Sequence, residues 1–574
     1  MGFRRLAPAV LWLVVGAAAP AGAQVAPFSF GGPQEDVATA LDVLPDGTFA
    51  IGGSTYGGYD PDPGPADATV PNGGRSDGFA AVYGPDRALR FVVPFGPPGP
   101  SSFDEVFSVA LGPSGELAVA GQVGEVLDLD PGPGQSLIEA PGLGIDVFLA
   151  VYEPDGALRY GFTVPGFDFG QRAYVDLDAS GNVYLLGSVD RETDLDPGPG
   201  QALVDGFRSA TLASYAPDGA FRWGFAIEGA QYRARGLAVA GGRVAITGNL
   251  ITGAVDVDPG PAVREIEGAA ISDWLTATYT TGGELVSAFV VGGSAFGGVT
   301  DVALDADGGV ALVGTIDRAA DFDPTAGTLV LSGSGNGTEG LGVVARYAPD
   351  ATLRSAFGVG TARPRRVALG GGRLVWTGHF EDPLDADPGE GTAVVVPEAG
   401  YDVVTVSLDA AGGFEWASVL TGPGTGDNGL GVGVDGQGQT LVTGRFSGTV
   451  DADPGAGVLA LASASPFDYD VFVVAYDSRG ALAARPTPTD TEPEAAVALA
   501  VYPSPTSGPA WVRVPGRLAS GRVSVHDALG REVAVLHDGP VPAQGLRLAV
   551  PRLAAGAYTV RAGATASARL VVVR

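Results

Sequence analysis

The side chains able to do chemistry in this sequence are mostly carboxylates: 65 Asp and Glu stand beside 33 basic residues, three His and no Cys. Fourteen of the aspartates form an Asp-x-Asp-Pro signature at Asp60/Asp62, Asp128/Asp130, Asp194/Asp196, Asp256/Asp258, Asp321/Asp323, Asp385/Asp387 and Asp451/Asp453. Residues two apart in an extended segment point to one side, so each pair places two carboxylates on one face ahead of a turn. A further acid lies six residues before a recurring Tyr or Leu in five units, at Asp77, Asp146, Asp273, Asp402 and Asp470; Ser209 and Leu341 take its place in two others. If each signature folds back onto that strand, three acids converge. Backbone carbonyls and water would then complete the six to eight oxygens that Ca²⁺ takes. The alternative is a solvated acidic turn.

Other chemistry is thinly represented. Thiol catalysis and cysteine zinc sites are excluded. Two of the His, His526 and His537, lie near the C-terminus, which leaves His379 alone and no His-based triad. Gly431, Gly433 and Gly436 match the spacing of a dinucleotide fingerprint, but they lead into a hairpin at Leu441-Val442, where the fingerprint needs a helix to receive phosphates. A glycoside hydrolase or lyase would need one or two special acids with divergent surroundings. Here similar acids repeat seven times, so no catalytic residue is assigned. The sequence predicts a binding or scaffold module, with a carbohydrate-active enzyme as the alternative.

The elements that must position these residues are themselves repeated. Successive signatures are 68, 66, 62, 65, 64 and 66 residues apart. A Gly closing an apolar run keeps the same phase at Gly53, Gly121, Gly187, Gly248, Gly314, Gly378 and Gly444. Within a unit, four short strands are legible. In the third, residues 173–177 and 183–186 form a hairpin; in the second, 147–152 and 158–164 form another. A Tyr ends the third strand at Tyr83, Tyr152, Tyr215, Tyr279, Tyr347 and Tyr476, with Leu408 in the sixth unit. These Tyr are expected to pack in the core. Seven such units without helical periodicity predict an all-β, seven-bladed β-propeller with four-stranded blades, the length beyond common propeller repeats falling in the aspartate loops. A solenoid is the competing fold. Residues 25–30 resemble the fourth strand of a unit, whereas the seventh unit ends weakly at 481–484, so the N-terminal strand is expected to complete the last blade.

The pattern of hairpin, aspartate loop and Asp-Val-Phe-Val-Val-Ala-Tyr-Asp-Ser-Arg-Gly at 470–480 resembles the bacterial SBBP-type β-propeller repeats. That resemblance implies the fold and an extracellular setting, with no defined ligand. The chain divides at four points: a signal peptide at 1–23, the repeat array at 24–485, a Pro/Thr/Glu linker at 486–496, and a C-terminal domain at 497–574. Arg4 and Arg5, an apolar run and Ala21-Gly22-Ala23 carry the first of these.

Residues 501–508, Val-Tyr-Pro-Ser-Pro-Thr-Ser-Gly, then 525–533, 553–561 and the terminal Arg-Leu-Val-Val-Val-Arg resemble the type A C-terminal sorting domain of the type IX secretion system. Ser504 stands where that family usually has Asn, and Arg569 where Lys is common. The resemblance implies a small immunoglobulin-like β-sandwich. It also implies partners, the secretion machinery and a sortase-like peptidase, and a destination, secreted or on the outer-membrane surface.

Charge agrees with an extracellular binder of glycan or protein. The formal net charge is −32, and all basic residues are Arg. The last 78 residues hold nine Arg against three acids, a net +6, which leaves −38 for the remainder. Such a chain repels nucleic acid and anionic membranes, and no segment after the signal peptide is apolar enough to span a bilayer.

Overall fold

The computed structural model describes residues 27–64, 68–70, 76–96, 104–124, 126–131, 134–140, 146–164, 166, 172–206, 209–292, 297–333, 340–398, 400–455, 457–465, 467–483, 500–502, 510–514, 522–527, 531–538, 546–551, 553–562 and 566–572. The expected signal peptide (1–23) and linker (486–496) lie outside these residues.

Every regular element described is a β-strand. Residues 28–476 form seven four-stranded antiparallel sheets. Six are simple meanders of consecutive long strands. Their first strands are Asp36–Val43, Glu105–Leu111, Tyr174–Leu177, Glu228–Ala240, Gly298–Leu304 and Arg363–Gly370, and we number the sheets 1 to 6 in that order. Sheet 7 begins with Asn428–Val434, continues through Thr440–Ser447 and Tyr469–Tyr476, and takes its fourth strand, Phe28–Phe30, from the other end of the chain. Phe28 lies opposite Val473 and Phe30 opposite Val471. The N-terminal strand therefore completes the last sheet, as the sequence leads one to expect.

The hydrophobic clusters follow the same order. Each draws on two successive sheets: Val93 and Phe95 of sheet 1 pack with Leu117 and Phe148 of sheet 2, and so on to Val375 and Trp416 of sheet 6 with Val442 and Phe472 of sheet 7. The seventh cluster joins Phe30, Val471 and Val473 of sheet 7 to Phe49, Phe79 and Tyr83 of sheet 1. The first strand of each sheet also contacts the first strand of the next, and that of sheet 7 contacts that of sheet 1. The ring is thereby closed, and the first strands form its inner wall.

The extra length of each unit lies between the second and third strands, as predicted. There the chain makes a small hairpin, such as Val126–Asp128 with Leu137–Glu139, or Thr449–Asp451 with Ala460–Ala462. In sheet 4 it is continuous with the long strands Arg243–Asp256 and Glu265–Thr280.

The phased glycine has a definite mechanical role. In six sheets the first strand carries a bulge, leaving Thr39, Phe107, Arg235, Thr300, Arg365 or Leu430 without a register partner. At each bulge a carbonyl of the first strand presses on the Cα of the facing glycine. A Cβ on Gly53, Gly121, Gly248, Gly314, Gly378 or Gly444 would lie well under 3.0 Å from the oxygen of Val37, Glu105, Arg233, Gly298, Arg363 or Asn428. Bulges re-aim side chains, and here the glycine is what admits them.

After the array, residues 500–572 form two antiparallel sheets, of three and four strands, that share a core of Val512, Val523, Val525 and Val560. Asp527 accepts from the Arg531 backbone N–H at 2.9 Å and from its Nε at 2.7 Å, closing the turn of the predicted 525–533 motif.

Because backbone blocks the space, Gly378→Ala is expected to destabilise the array by at least about 2 kcal/mol. Gly57→Ala, which meets nothing nearer than 3.4 Å, should stay within about 0.5 kcal/mol of the parent. Denaturant unfolding of both variants checks this.

Candidate functional site

The inner wall encloses two cavities in line along the ring axis. The larger, about 630 Å³, lies where the first strands begin. The smaller, about 250 Å³, lies further along the same strands and touches all seven. The first-strand edges facing this space would leave backbone groups unpaired. Side chains of neighbouring sheets cover several of them. Asp42 accepts from Leu111 N–H at 2.7 Å, Asp176 from Val239 N–H at 2.6 Å, and Asp301 from Val367 N–H at 3.0 Å. Thr39 Oγ1 donates to Val106 C=O at 3.1 Å and Thr300 Oγ1 to Pro364 C=O at 2.8 Å. The sheets are thus cross-tied around the axis by the residues that line it.

Five of the six bulged residues, Thr39, Arg235, Thr300, Arg365 and Leu430, reach the larger cavity. With them stand Arg172, Arg366 and Arg445, two carboxylates, Glu35 and Glu105, and the rings of Tyr56 and Tyr174. Arg445 binds Glu35 at 2.8 Å. Arg366 donates to Thr39 C=O at 3.1 Å. Burial and the neighbouring guanidinium of Arg366 pull the Arg172 guanidinium below its usual range; burial and Arg172 do the same to Arg365. Burial raises Glu105, partly offset by Arg172. His379 is buried behind this mouth, edge-on to Tyr401 with ring centroids 4.8 Å apart. Burial, followed by the charge of Arg365, lowers it to about 4, so its imidazole is neutral. It is a packed histidine, as expected for a lone one.

The mouth is held open by a second set of acids. Asp36, Asp104 and Asp427 stand at the starts of first hairpins. Their Oδ1 atoms accept from Tyr56, Gly124 and Ser447 N–H at 3.1, 2.9 and 2.9 Å, twenty residues on in each case. Asp146 and Asp402 start second hairpins and accept from Gly166 and Gly422 N–H at 3.3 and 3.2 Å, again twenty residues on. One device therefore closes both hairpins of a unit. Burial is the main cause that raises Asp36 and Asp427 to about 7 each and Asp470 to about 6. Asp470 and Glu35 add to the effect on Asp36, and Asp402 to that on Asp427.

The Asp-x-Asp signatures lie elsewhere, on the small hairpins. In all seven units Oδ1 of the first Asp accepts from the N–H of the second and from the N–H eight residues on. For Asp194 these are Asp196 at 3.1 Å and Ala202 at 2.8 Å; for Asp451, Asp453 at 3.0 Å and Leu459 at 2.8 Å. Asp60, Asp128, Asp256, Asp321 and Asp385 repeat the pattern. Oδ1 of Asp62, Asp196, Asp258, Asp323, Asp387 and Asp453 accepts from the amide two residues on; Asp130 carries the same loop in unit two.

The side chain between each pair is buried. In five units the marker Tyr donates to that residue's carbonyl: Tyr83 to Pro61, Tyr152 to Leu129, Tyr215 to Leu195, Tyr279 to Val257 and Tyr347 to Phe322, at 2.8–3.0 Å. The Tyr ends the third strand, whereas Asp77, Asp146, Asp273, Asp402 and Asp470 begin it or stand near its opposite end. The strand itself separates them by roughly 20 Å. The expected convergence of three acids therefore does not occur, and among the described residues no group of three or more acids or His is placed to hold a metal ion. The signature builds a turn and the Tyr latches it to the sheet.

No protein-family model matches the sequence, and no curated protein does. Solved structures with related strand arrangements include a protein of unknown function from Bacteroides caccae, at 12% identity, TM-score 0.26, covering 59% of this chain and 89% of that one. A gluconolactonase from Xanthomonas campestris matches at 10% identity and TM-score 0.25, covering 63% and 95%. An ulvan lyase of a new polysaccharide lyase family matches at 10% identity and TM-score 0.35, covering 80% and 95%.

Two outcomes follow from this geometry. Asp194→Ala is expected to lower stability by about 1–2 kcal/mol equally with millimolar Ca²⁺ and with chelator. Stabilisation by Ca²⁺ that disappears in the variant would instead assign the signature to a cation. The raised acids set a pH dependence. Asp36 and Asp427 hold protons up to about 7 in the fold, while the unfolded carboxyls release theirs near 3.8. The folded chain binds more protons between about 4 and 7, so stability falls as pH rises through that window. Thermal midpoints should be higher at pH 5 than at pH 8, and Asp36→Asn should flatten the slope.

Proposed function

We propose that this chain is a secreted or surface-displayed seven-bladed β-propeller of the SBBP type, acting as a binding module whose ligand site is the axial funnel. Residues 497–574 form the immunoglobulin-like sorting domain that directs its export by the type IX route. The observation that carries the binding reading is the funnel itself. Bulges in the inner strands deliver long side chains into a cavity whose size lies within the roughly 300–1,000 Å³ of ligand sites. The export reading is supported by the ordered motifs of the tail and by the two small sheets that share a core there.

One observation favours a carbohydrate-active enzyme as the second reading. Glu35 and Glu105 share the funnel in unlike surroundings, Glu35 paired with Arg445 and Glu105 pushed up by burial. Paired carboxyls made unlike in this way are what acid-base cleavage requires. A glycan array with the full chain separates the two. The binding reading expects glycans retained unchanged and retention lost in Leu430→Trp, which narrows the funnel. Reproducible cleavage, abolished in Glu105→Gln, would establish the enzyme. Deletion of 497–574 is expected to leave the protein in the periplasm; surface display of the truncated chain would contradict the export reading.

A further inference from the structure

The charges in the funnel are sorted by side. Arg172 precedes the inner strand of sheet 3, Arg235 is the bulge of sheet 4, Arg365 and Arg366 belong to sheet 6, and Arg445 to sheet 7. Glu35 and Glu105 precede or begin the inner strands of sheets 1 and 2. In a chain of net charge −32, five guanidinium groups thus converge on one cavity. Arg445 and Arg366 are engaged with Glu35 and Thr39. Among the described residues, Arg172, Arg235 and Arg365 make no hydrogen bond or ion pair, and they repel one another. Burying like charges together costs free energy that nothing described in the chain repays. An anion from outside would repay it, and guanidinium forks match carboxylate and sulfate bidentately.

Building on the funnel reading above, we infer that the ligand is an acidic saccharide, whose carboxylate or sulfate lies against Arg235 and Arg365. The remaining lining selects a sugar. At about 630 Å³ the cavity far exceeds an inorganic anion. The wall opposite the arginines offers acceptors for hydroxyl groups in Glu35 and Glu105, with Gln122, Asn249 and Asn428 beside them and Tyr56 and Tyr174 as ring platforms. An acidic peptide would want apolar subsites for its neighbouring side chains, and Val37, Val299 and Leu430 are the few apolar groups present. The global negative charge does not forbid this. At physiological salt the Debye length is about 8 Å, so distant surface carboxylates are screened while the arginines in contact are not.

Calorimetric titration of the full chain with tetragalacturonate, a sulfated galactose tetramer, neutral galactotetraose, a tetrapeptide of Asp and Glu, and inorganic sulfate tests the inference. The acidic sugars should bind and the neutral one should not. Arg365→Ala and Arg235→Ala should each weaken binding about tenfold or more, with Arg365→Lys recovering part of the loss. Arg365 is exposed at the funnel surface, so its variants should keep the parent thermal midpoint. Equal binding of the neutral tetramer, lost in Leu430→Trp but indifferent to the arginine variants, would overturn the anion assignment and leave the funnel reading standing. Sulfate alone binding as tightly as the sugars, or the peptide binding more tightly, would overturn the saccharide. Retention of glycans that is indifferent to Leu430→Trp would overturn the funnel reading as well.

Discussion

The structure depends on one close approach: a first-strand carbonyl resting against the Cα of a glycine in the second strand. Any side chain there would push the inner strand away from its sheet. With glycine the strand can bulge, and the bulge turns one residue per sheet toward the axis. The same contact therefore serves packing and function. It seats the inner wall of the ring, and it decides which side chains, Arg235 and Arg365 among them, line the funnel.

Aspartate does two separate jobs around that frame. At the mouth, Asp36, Asp104, Asp146, Asp402 and Asp427 close hairpins by accepting an amide twenty residues on. On the small hairpins, the paired aspartates close turns, and a Tyr hydroxyl pins the turn to its sheet. The chain has no disulfide to hold its loops, and buried acceptors take over that duty. The cost is electrostatic, since burial holds several of these acids protonated near neutrality, which makes the ring sensitive to pH.

Much of this was legible in the sequence because it repeats. The phase of Gly53 to Gly444, the four strands per unit, the location of the extra length and the pairing of 28–30 with 471–473 all followed from periodicity and alternation. The funnel was not, because it is built from departures from the repeat. Arg235 and Arg365 occupy a slot that holds Thr39, Phe107, Thr300 and Leu430 in other units. The signal was present: the slot lies thirteen or fourteen residues before the marker glycine. Reading it required knowing that a bulge sits there, which strand alternation alone does not reveal. The aspartate signature misled for a related reason. Its spacing correctly put both carboxylates in one turn, but the distance along the third strand, between Asp146 and Tyr152 for example, separates that turn from the third acid. The repeated Tyr looked like core and is also a latch.

The most direct test of the account is an experimental structure of the full chain grown with an acidic tetrasaccharide. The account predicts sugar density on the ring axis, with a carboxylate or sulfate within hydrogen-bond distance of Arg235 and Arg365 and hydroxyls directed at Glu35 and Glu105. Sugar bound on the small hairpins instead, with only water in the funnel, would contradict it.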